Sequence, residues 1–351
     1  VRSTAAEADR MSGSGGPRPV GLVGSDAPTR VFDVALLDLD GVVYLGDEPV
    51  DHASDALATA VEHGMRIAYV TNNALRTPDQ VAVKLQGVGV PATADEVVTS
   101  AQAAARLVLE RCGAGARVLA TGGEGLRQAL EDAGLEQVAS ADDRPAAVVL
   151  GYDPTLDYPR LAEAGLAARR GALYVACNRD ATIPTPRGPM AGMGALAAFV
   201  ALAAGREPVV AGKPETTLHA ESVRRSDARR PVVVGDRLDT DIEGARRAGT
   251  PSMLVLTGVT DPRTLAQAAP HERPDLVAPD LRGLLEPHPA AADGRCGDAR
   301  AHLADGRLVI DAGTGVDALR AGVTAVWAAV DLGRLDVPAD ADLRVLDQLL
   351  R

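Results

Sequence analysis

Val-Ala-Leu-Leu-Asp-Leu-Asp-Gly-Val-Val-Tyr, residues 34–44, is an apolar run rich in branched side chains, interrupted by Asp38 and Asp40 and broken at Gly41. A short, nearly continuous apolar segment of this kind reads as a strand buried on both faces of a parallel sheet. Ligands of such sheets bind beyond the carboxyl ends of the strands, which is where the two aspartates fall. Side chains two residues apart share one side of a strand, and two carboxylates there repel unless a cation or a shared proton relieves them. The plainer alternative is a surface turn in which Asp-Gly simply ends the strand.

Downstream, Ala56, Leu57, Ala60 and Val61 have helical spacing within residues 55–63, and Gly64 stands where a helix cap is expected. Residues 66–70 form the next apolar strand and end in Thr71-Asn72-Asn73. Strand, helix and strand with short links make a βαβ unit with parallel strands. That places Thr71, Asn72 and Asn73 on the same edge as Asp38 and Asp40. A hydroxyl, amides and backbone N–H groups at such an edge suit an oxyanion, although Thr-Asn-Asn is also ordinary turn composition. Further helices are expected over 77–86 and, with Ser100 as N-cap, over 100–111, with a short strand at 97–99.

Gly113-Ala114-Gly115 reads as a boundary, after which the alternation starts afresh. Strands at 118–120, 146–150 and 173–176 and helices over 126–133 and 159–170 form a second α/β unit, whose last strand leads into Asn178-Arg179-Asp180. A helix over 195–204 follows. Strands at 208–211, 232–234 and 253–256 then resume the first sheet, leading into Gly212-Lys213-Pro214, the Gly235-Asp236 to Asp241 stretch, and Thr257-Gly258. The expected class is therefore α/β: a Rossmann-like doubly wound parallel-sheet core, residues 31–113 and 207–285, interrupted by an α/β cap, residues 114–206. Residues 286–299, rich in Pro, Ala, Gly and Asp, read as a linker. Residues 300–351 form a small α+β appendage, with strands at 301–303 and 308–310 around Asp305-Gly306 and a helix over 316–331 carrying Trp327. It is too small to hold a large core alone and should dock on its neighbour. Residues 1–30 read as a disordered tail without an apolar signal core, and Val1 and Met11 both stand as candidate translation starts.

Composition narrows the function. With 46% hydrophobic and 24% charged residues over 351 positions, the chain has the balance of a soluble globular protein. A formal charge of −12 speaks against nucleic acid, whose phosphate backbone needs a basic face. No apolar segment is long enough for membrane insertion. Cys112, Cys177 and Cys296 are scattered, which indicates neither a zinc site nor a disulfide framework and suits a reducing cytoplasm. Aromatics are only 2%, so Ala, Val and Leu must fill the core.

Together the strand ends supply Asp38 and Asp40, Thr71-Asn72-Asn73, Lys213, and Asp236 with Asp241. This set meets the needs of phosphoryl transfer from a monoester to water: neutralising the dianion, aligning a nucleophile, and protonating the leaving oxygen. Hard oxygen ligands suit Mg²⁺, here Asp38, the Asp40 backbone carbonyl and Asp236, with Asp241 holding a metal-bound water. Asp38 is then the nucleophile that becomes an aspartyl-phosphate, and Asp40 the general acid, later base.

Asp38-Leu39-Asp40-Gly41-Val42 resembles the first motif of the haloacid-dehalogenase superfamily; Thr71-Asn72-Asn73 is similar to its second, Lys213 to its third, and Gly235-Asp236 through Asp241 to its fourth. The resemblance covers about residues 32–285. The insertion looks like the α/β cap of the 4-nitrophenylphosphatase subfamily: Asn178-Arg179-Asp180 and Gly192-Met193-Gly194 sit where those relatives carry Asn-x-Asp and Pro-Gly-x-Gly, with Ala191 in place of the Pro and Ala74 where Ser is frequent. What this implies is a cytoplasmic phosphatase of a small phosphorylated metabolite, with Asn178, Arg179 and Asp180 facing the substrate. Glycerol 3-phosphate is the preferred substrate, because no aromatic stacking platform is evident and the composition resembles actinobacterial glycerol-phosphate phosphatases; phosphoglycolate, pyridoxal phosphate and a nucleoside monophosphate are the alternatives. Some of those relatives carry a truncated acetyltransferase-like appendage, and caps of this type often mediate homodimers. The non-enzymatic rival is a receiver-type module in which phosphorylated Asp38 signals by conformational change; receivers lack a large insertion.

Overall fold

The computed structural model describes residues 21–183, 185, 187–335 and 342–349; Met11 and most of the expected tail lie outside the described residues. The chain divides into two compact units, Val1–Ala68 with Val88–Val90 and Ser226–Arg351, and Tyr69–Gly87 with Pro91–Arg225.

In the first unit the parallel strands Leu276–Ala278, Ser252–Val255, Pro231–Gly235 and Val34–Leu37 lie side by side in that order, and Arg66–Thr71, whose first half belongs here, follows Val34–Leu37. All four residues of Val34–Leu37 are buried, as a two-sided apolar run requires. The register pairs Val34 with Pro231 and Leu37 with Val234, so the ends of these two strands lie side by side, Asp38 following the first directly and Asp236 the second. The helix Ala53–Glu62 buries Ala56, Leu57 and Ala60.

The stretch 286–299, expected as a linker, instead carries the strands Ala291–Ala292 and Arg295–Cys296. They join Ala299–Ala304 and Arg307–Ala312 in a four-stranded antiparallel sheet. Residues of the expected tail are tied to it as well: the Leu22 and Ala291 backbones exchange two hydrogen bonds (2.8 and 3.0 Å), as do Ser25 and His288 (2.8 Å each). Pro, Gly and Asp here serve tight turns between two-residue strands, too short to show a period. The helix Gly315–Asp331 covers the sheet and continues the core: Leu308, Leu319, Val323, Val326 and Trp327 form one buried cluster with Ile242, Leu254, Leu265 and Val277. Trp327 donates its indole N–H to the Leu265 carbonyl at 3.2 Å and lies 5.0 Å beneath the Arg273 guanidinium.

The second unit holds a five-stranded parallel sheet in the order Val209–Val210, Leu173–Ala176, Ala147–Leu150, Arg117–Thr121, Glu136–Val138. Its core is Leu119, Val148, Leu150, Tyr174 and Val200 with a lining of alanines. Val209–Val210, expected in the first sheet, pairs here with Leu173–Ala176: an apolar dipeptide carries no mark of which sheet it joins. Lys213 therefore belongs to the second unit, as does Tyr69–Thr71, which pairs with Val97–Thr99. The unit thus begins well before the Gly113 boundary expected from sequence.

Candidate active site

In the first unit Asp38 extends the strand ladder, its N–H donating to the Val234 carbonyl at 2.9 Å. Leu39 and Val42 turn into the core at 1% and 0% exposure, while Asp40 is exposed and forms an isolated bridge with Tyr44. Asp236 follows its strand directly and is fully buried. Asp241 sits on a π-helical turn, Leu238–Ile242, of the kind that recurs at functional sites; the Arg237 N–H donates to its Oδ2 at 3.2 Å. Carboxylate oxygens of Asp38, Asp236 and Asp241 all lie within 4.8 Å of one another.

Three such groups together are unstable unless a positive charge joins them. No hydrogen-bond donor among the described residues reaches Asp236 Oδ1, whereas Oδ2 accepts the Val259 N–H at 2.7 Å. A buried carboxylate oxygen without a donor costs several kcal/mol, and a hard divalent cation removes that cost. The residues present therefore fit Mg²⁺. Nothing in the sequence singled out Val259, because a backbone N–H carries no residue identity; Thr257-Gly258 was visible only as a strand end. In the structure Thr257 Oγ1 donates to the Gly41 carbonyl at 2.6 Å, and a Cβ on either Gly41, at φ +86°, or Gly258 would run into the Asp236 carboxylate. The Gly of Asp-x-Asp-Gly is thus required both by its backbone angle and by the acid beside it.

In the second unit Asn72, Asn178, Asp180 and Lys213 come together. Asn178 Nδ2 donates to the Asn72 carbonyl at 2.7 Å, the Lys213 N–H donates to Asn72 Oδ1 at 2.8 Å, and the Lys213 ammonium donates to the Val70 carbonyl at 3.3 Å. Asn73 Oδ1 accepts the N–H groups of Leu75 and Arg76 at 2.9 and 3.1 Å, and Asn178 Oδ1 accepts that of Asp180 at 3.0 Å. The asparagine side chains here shape their loops, a use that turn composition alone does not distinguish from ligand binding. Thr71 Oγ1 accepts the Asn73 N–H at 3.1 Å. Arg179 is exposed. Burial pushes the thiol of neighbouring Cys177 up to about 12, which removes it as a nucleophile. Ser100, expected as an N-cap, is the first residue of its helix; Thr99 caps it, accepting the Gln102 N–H at 3.2 Å.

The profile of the haloacid dehalogenase-like hydrolases matches residues 35–136, and a HAD-hydrolase-like profile matches residues 210–284. The D-glycerol 3-phosphate phosphatase of Mycobacterium tuberculosis is 43% identical over 309 residues, 85% of this chain and 86% of the relative. The 5′-nucleotidase YutF of Bacillus subtilis is 37% identical over 66% of this chain and 90% of its own length. Among solved structures, the glycerol phosphate phosphatase of M. tuberculosis in complex with magnesium superposes with a TM-score of 0.79 at 41% identity, covering 87% of this chain and 93% of that one. The p-nitrophenyl phosphatase of Archaeoglobus fulgidus gives 0.67 at 30% identity, covering 72% and 98%.

Proposed function

The chain belongs to the haloacid dehalogenase-like hydrolases, and from that premise we propose that it is a Mg²⁺-dependent phosphomonoesterase whose preferred substrate is glycerol 3-phosphate. The observation that carries the reading is the gathering of Asp38, Asp236 and Asp241, whose carboxylate oxygens lie within 4.8 Å of one another. Asp38, Asp236 and the Asp40 carbonyl would hold the cation, and Asp241 would support it. When bound, Mg²⁺ neutralises charge on the phosphate and on the carboxylates.

Asp38 attacks phosphorus, the bond from phosphorus to the ester oxygen breaks, and Asp40 protonates the departing alkoxide. Exposure of Asp40 suits a group that must exchange protons with substrate and water. Asp40 then takes a proton from the water that attacks the aspartyl-phosphate, which releases inorganic phosphate and restores Asp38. The Thr71 hydroxyl and the Lys213 ammonium bind phosphate oxygens, with the backbone of Asn72 and Asn73 alongside, and the charge of Lys213 stabilises the transferring group. Residues 114–206 act as the cap, reading the alcohol of the substrate through Asn178 and Asp180.

Glycerol 3-phosphate is favoured by the near full-length likeness to the mycobacterial enzyme of that name and by an aromatic content of 2%, which is poor provision for stacking a base. A nucleoside monophosphate is the second reading, favoured by the likeness to the B. subtilis nucleotidase. The C-terminal helix and sheet serve as a brace on the first unit, in keeping with the core they share. We place the enzyme in the cytoplasm, in line with its three free cysteines and with the lack, among the described residues, of a helix long and apolar enough to cross a membrane. We further propose that it is a homodimer.

The test is release of inorganic phosphate from glycerol 3-phosphate, phosphoglycolate, pyridoxal phosphate and UMP, with and without a chelator. The highest kcat/KM is expected for glycerol 3-phosphate, with loss on chelation and recovery on adding Mg²⁺. Preference for an aromatic phosphate would overturn the substrate, and turnover indifferent to chelator would overturn the metal.

A further inference from the structure

One carboxamide in the second unit closes on Lys213 from two sides. Asn72 Oδ1 accepts the Lys213 N–H at 2.8 Å, and Nδ2 of the same side chain donates to the Lys213 carbonyl at 3.3 Å and to Asp180 Oδ1 at 3.4 Å. The Asn72 backbone is itself held, its carbonyl accepting from Asn178 Nδ2 at 2.7 Å and from Ser100 Oγ at 2.6 Å. At its other end Lys213 donates from the ammonium to the Val70 carbonyl at 3.3 Å. Backbone and head group of the lysine are thus both registered on residues 70–72, the stretch that also carries Thr71. Gly212 keeps the clasp closed, since a Cβ there would press on Asn72 Oδ1 and the Cys177 carbonyl.

We infer that the Asn72 side chain is a positioning group for Lys213 and that its carboxamide is not itself a phosphate ligand. The carboxamide has two N–H donors and one carbonyl acceptor, and each is directed at a protein group. A lysine ammonium rides on a flexible four-carbon stem; anchoring residue 213 before the phosphate arrives fixes where that charge stands relative to the Thr71 hydroxyl. The bond to Asp180 extends the same register to the 178–180 loop. The inference rests on the reading above, in which Lys213 binds the substrate phosphate.

The test compares Asn72→Leu, Lys213→Ala and the double variant in the full chain with Mg²⁺, measuring kcat/KM on 4-nitrophenyl phosphate and the inhibition constant of inorganic phosphate. Asn72→Leu should lower kcat/KM about 10- to 100-fold, the scale of a misplaced binding group, and weaken phosphate inhibition in parallel. In the Lys213→Ala background the same change should cost less than about 3-fold, because a residue that acts only through the lysine has nothing left to position. Asn72→Asp, nearly isosteric, keeps the acceptor for the Lys213 N–H but loses both donated bonds; it should show a smaller loss, again suppressed in the Lys213→Ala background. Additive losses in both double variants, the mark of a general structural role, would overturn the inference. So would weakened phosphate inhibition in Lys213→Ala but not in either Asn72 variant, which would leave the role of Lys213 standing. Phosphate inhibition unchanged by Lys213→Ala would remove the premise and the inference with it.

Discussion

At Asp236 the chain buries a carboxylate completely, with the acids of Asp38 and Asp241 close by. Such an arrangement lowers the stability of the metal-free protein in return for affinity toward a cation, so function and stability should separate on substitution. Asp236→Asn should raise the unfolding midpoint of the metal-free protein. Millimolar Mg²⁺ should stabilise the unaltered protein, by about 2.7 kcal/mol at a hundredfold excess over Kd, while leaving Asp236→Asn unshifted; an equal Mg²⁺ shift in both would show that the cation is held elsewhere. Asp38→Asn should retain the fold and lose at least about 10³-fold in kcat, the order expected when a nucleophile is removed. Much of this site is legible in the sequence, because Asp-x-Asp-Gly and Gly-Asp combine a buried strand with charges that only its end can tolerate. Val259 is not, since it acts through its backbone. The role of Asn72 is not either, since its residue type does not say whether the carboxamide faces a ligand or the main chain.

Among the elements, the C-terminal helix Gly315–Asp331 is attached by a buried polar chain as well as by Trp327. Arg320 donates to the Val277 carbonyl at 2.6 Å and to His288 Nδ1 at 2.9 Å, and His288 Nε2 lies 2.8 Å from the Gly283 carbonyl. A guanidinium only donates, so Nδ1 accepts, Nε2 carries the proton, and His288 is neutral. Burial first, and the nearby Arg320 charge next, push its pKa down to about 4 from an ordinary value near 6.5. Between those values the unfolded chain binds a proton that the native one refuses, so this contribution to stability is complete above about pH 6.5 and declines as the pH falls toward 4. The slope approaches about 1.4 kcal/mol per pH unit. Burial of His219, also lowered to about 4, acts in the same direction. Replacing His288 with Gln should flatten chemical-denaturation stability against pH by about one proton over that window, and an unchanged slope would show that His288 titrates normally in the fold. The helix and the strand pair around Asp305-Gly306 are legible from their periods. The strands of 286–299 are not, because two-residue strands leave no pattern and their turns have the composition of a linker.

Across the whole chain, the alternation of strands and helices announces an α/β protein with an interrupted core, whereas the division into units falls where no change of composition occurs, within Arg66–Thr71 and at Arg225. One long-range feature is written plainly and is not accounted for by packing among the described residues. The helix Met193–Ala204 has no charged residue in twelve, a composition expected of a helix covered all round. Yet Leu202 is 87% exposed and Phe199 44%, and Tyr158 of the adjacent helix Tyr158–Arg169 is 72% exposed, stacked edge-on against Phe199 at 6.4 Å. Apolar patches of this kind on soluble proteins mark association surfaces, and most homo-oligomers close with twofold symmetry, each subunit offering the same patch. This supports the proposed homodimer, formed through the second unit. The unaltered protein should sediment as a dimer at micromolar concentration. Leu202→Glu combined with Phe199→Glu should sediment as a monomer, because two charges per subunit would be buried without partners in the shared face. Since neither side chain is assigned to the chemistry, kcat on 4-nitrophenyl phosphate should stay within about threefold, the ordinary scatter of surface substitutions of under about 0.5 kcal/mol. A monomeric unaltered protein, or a double variant that remains dimeric, would rule out this face as the interface.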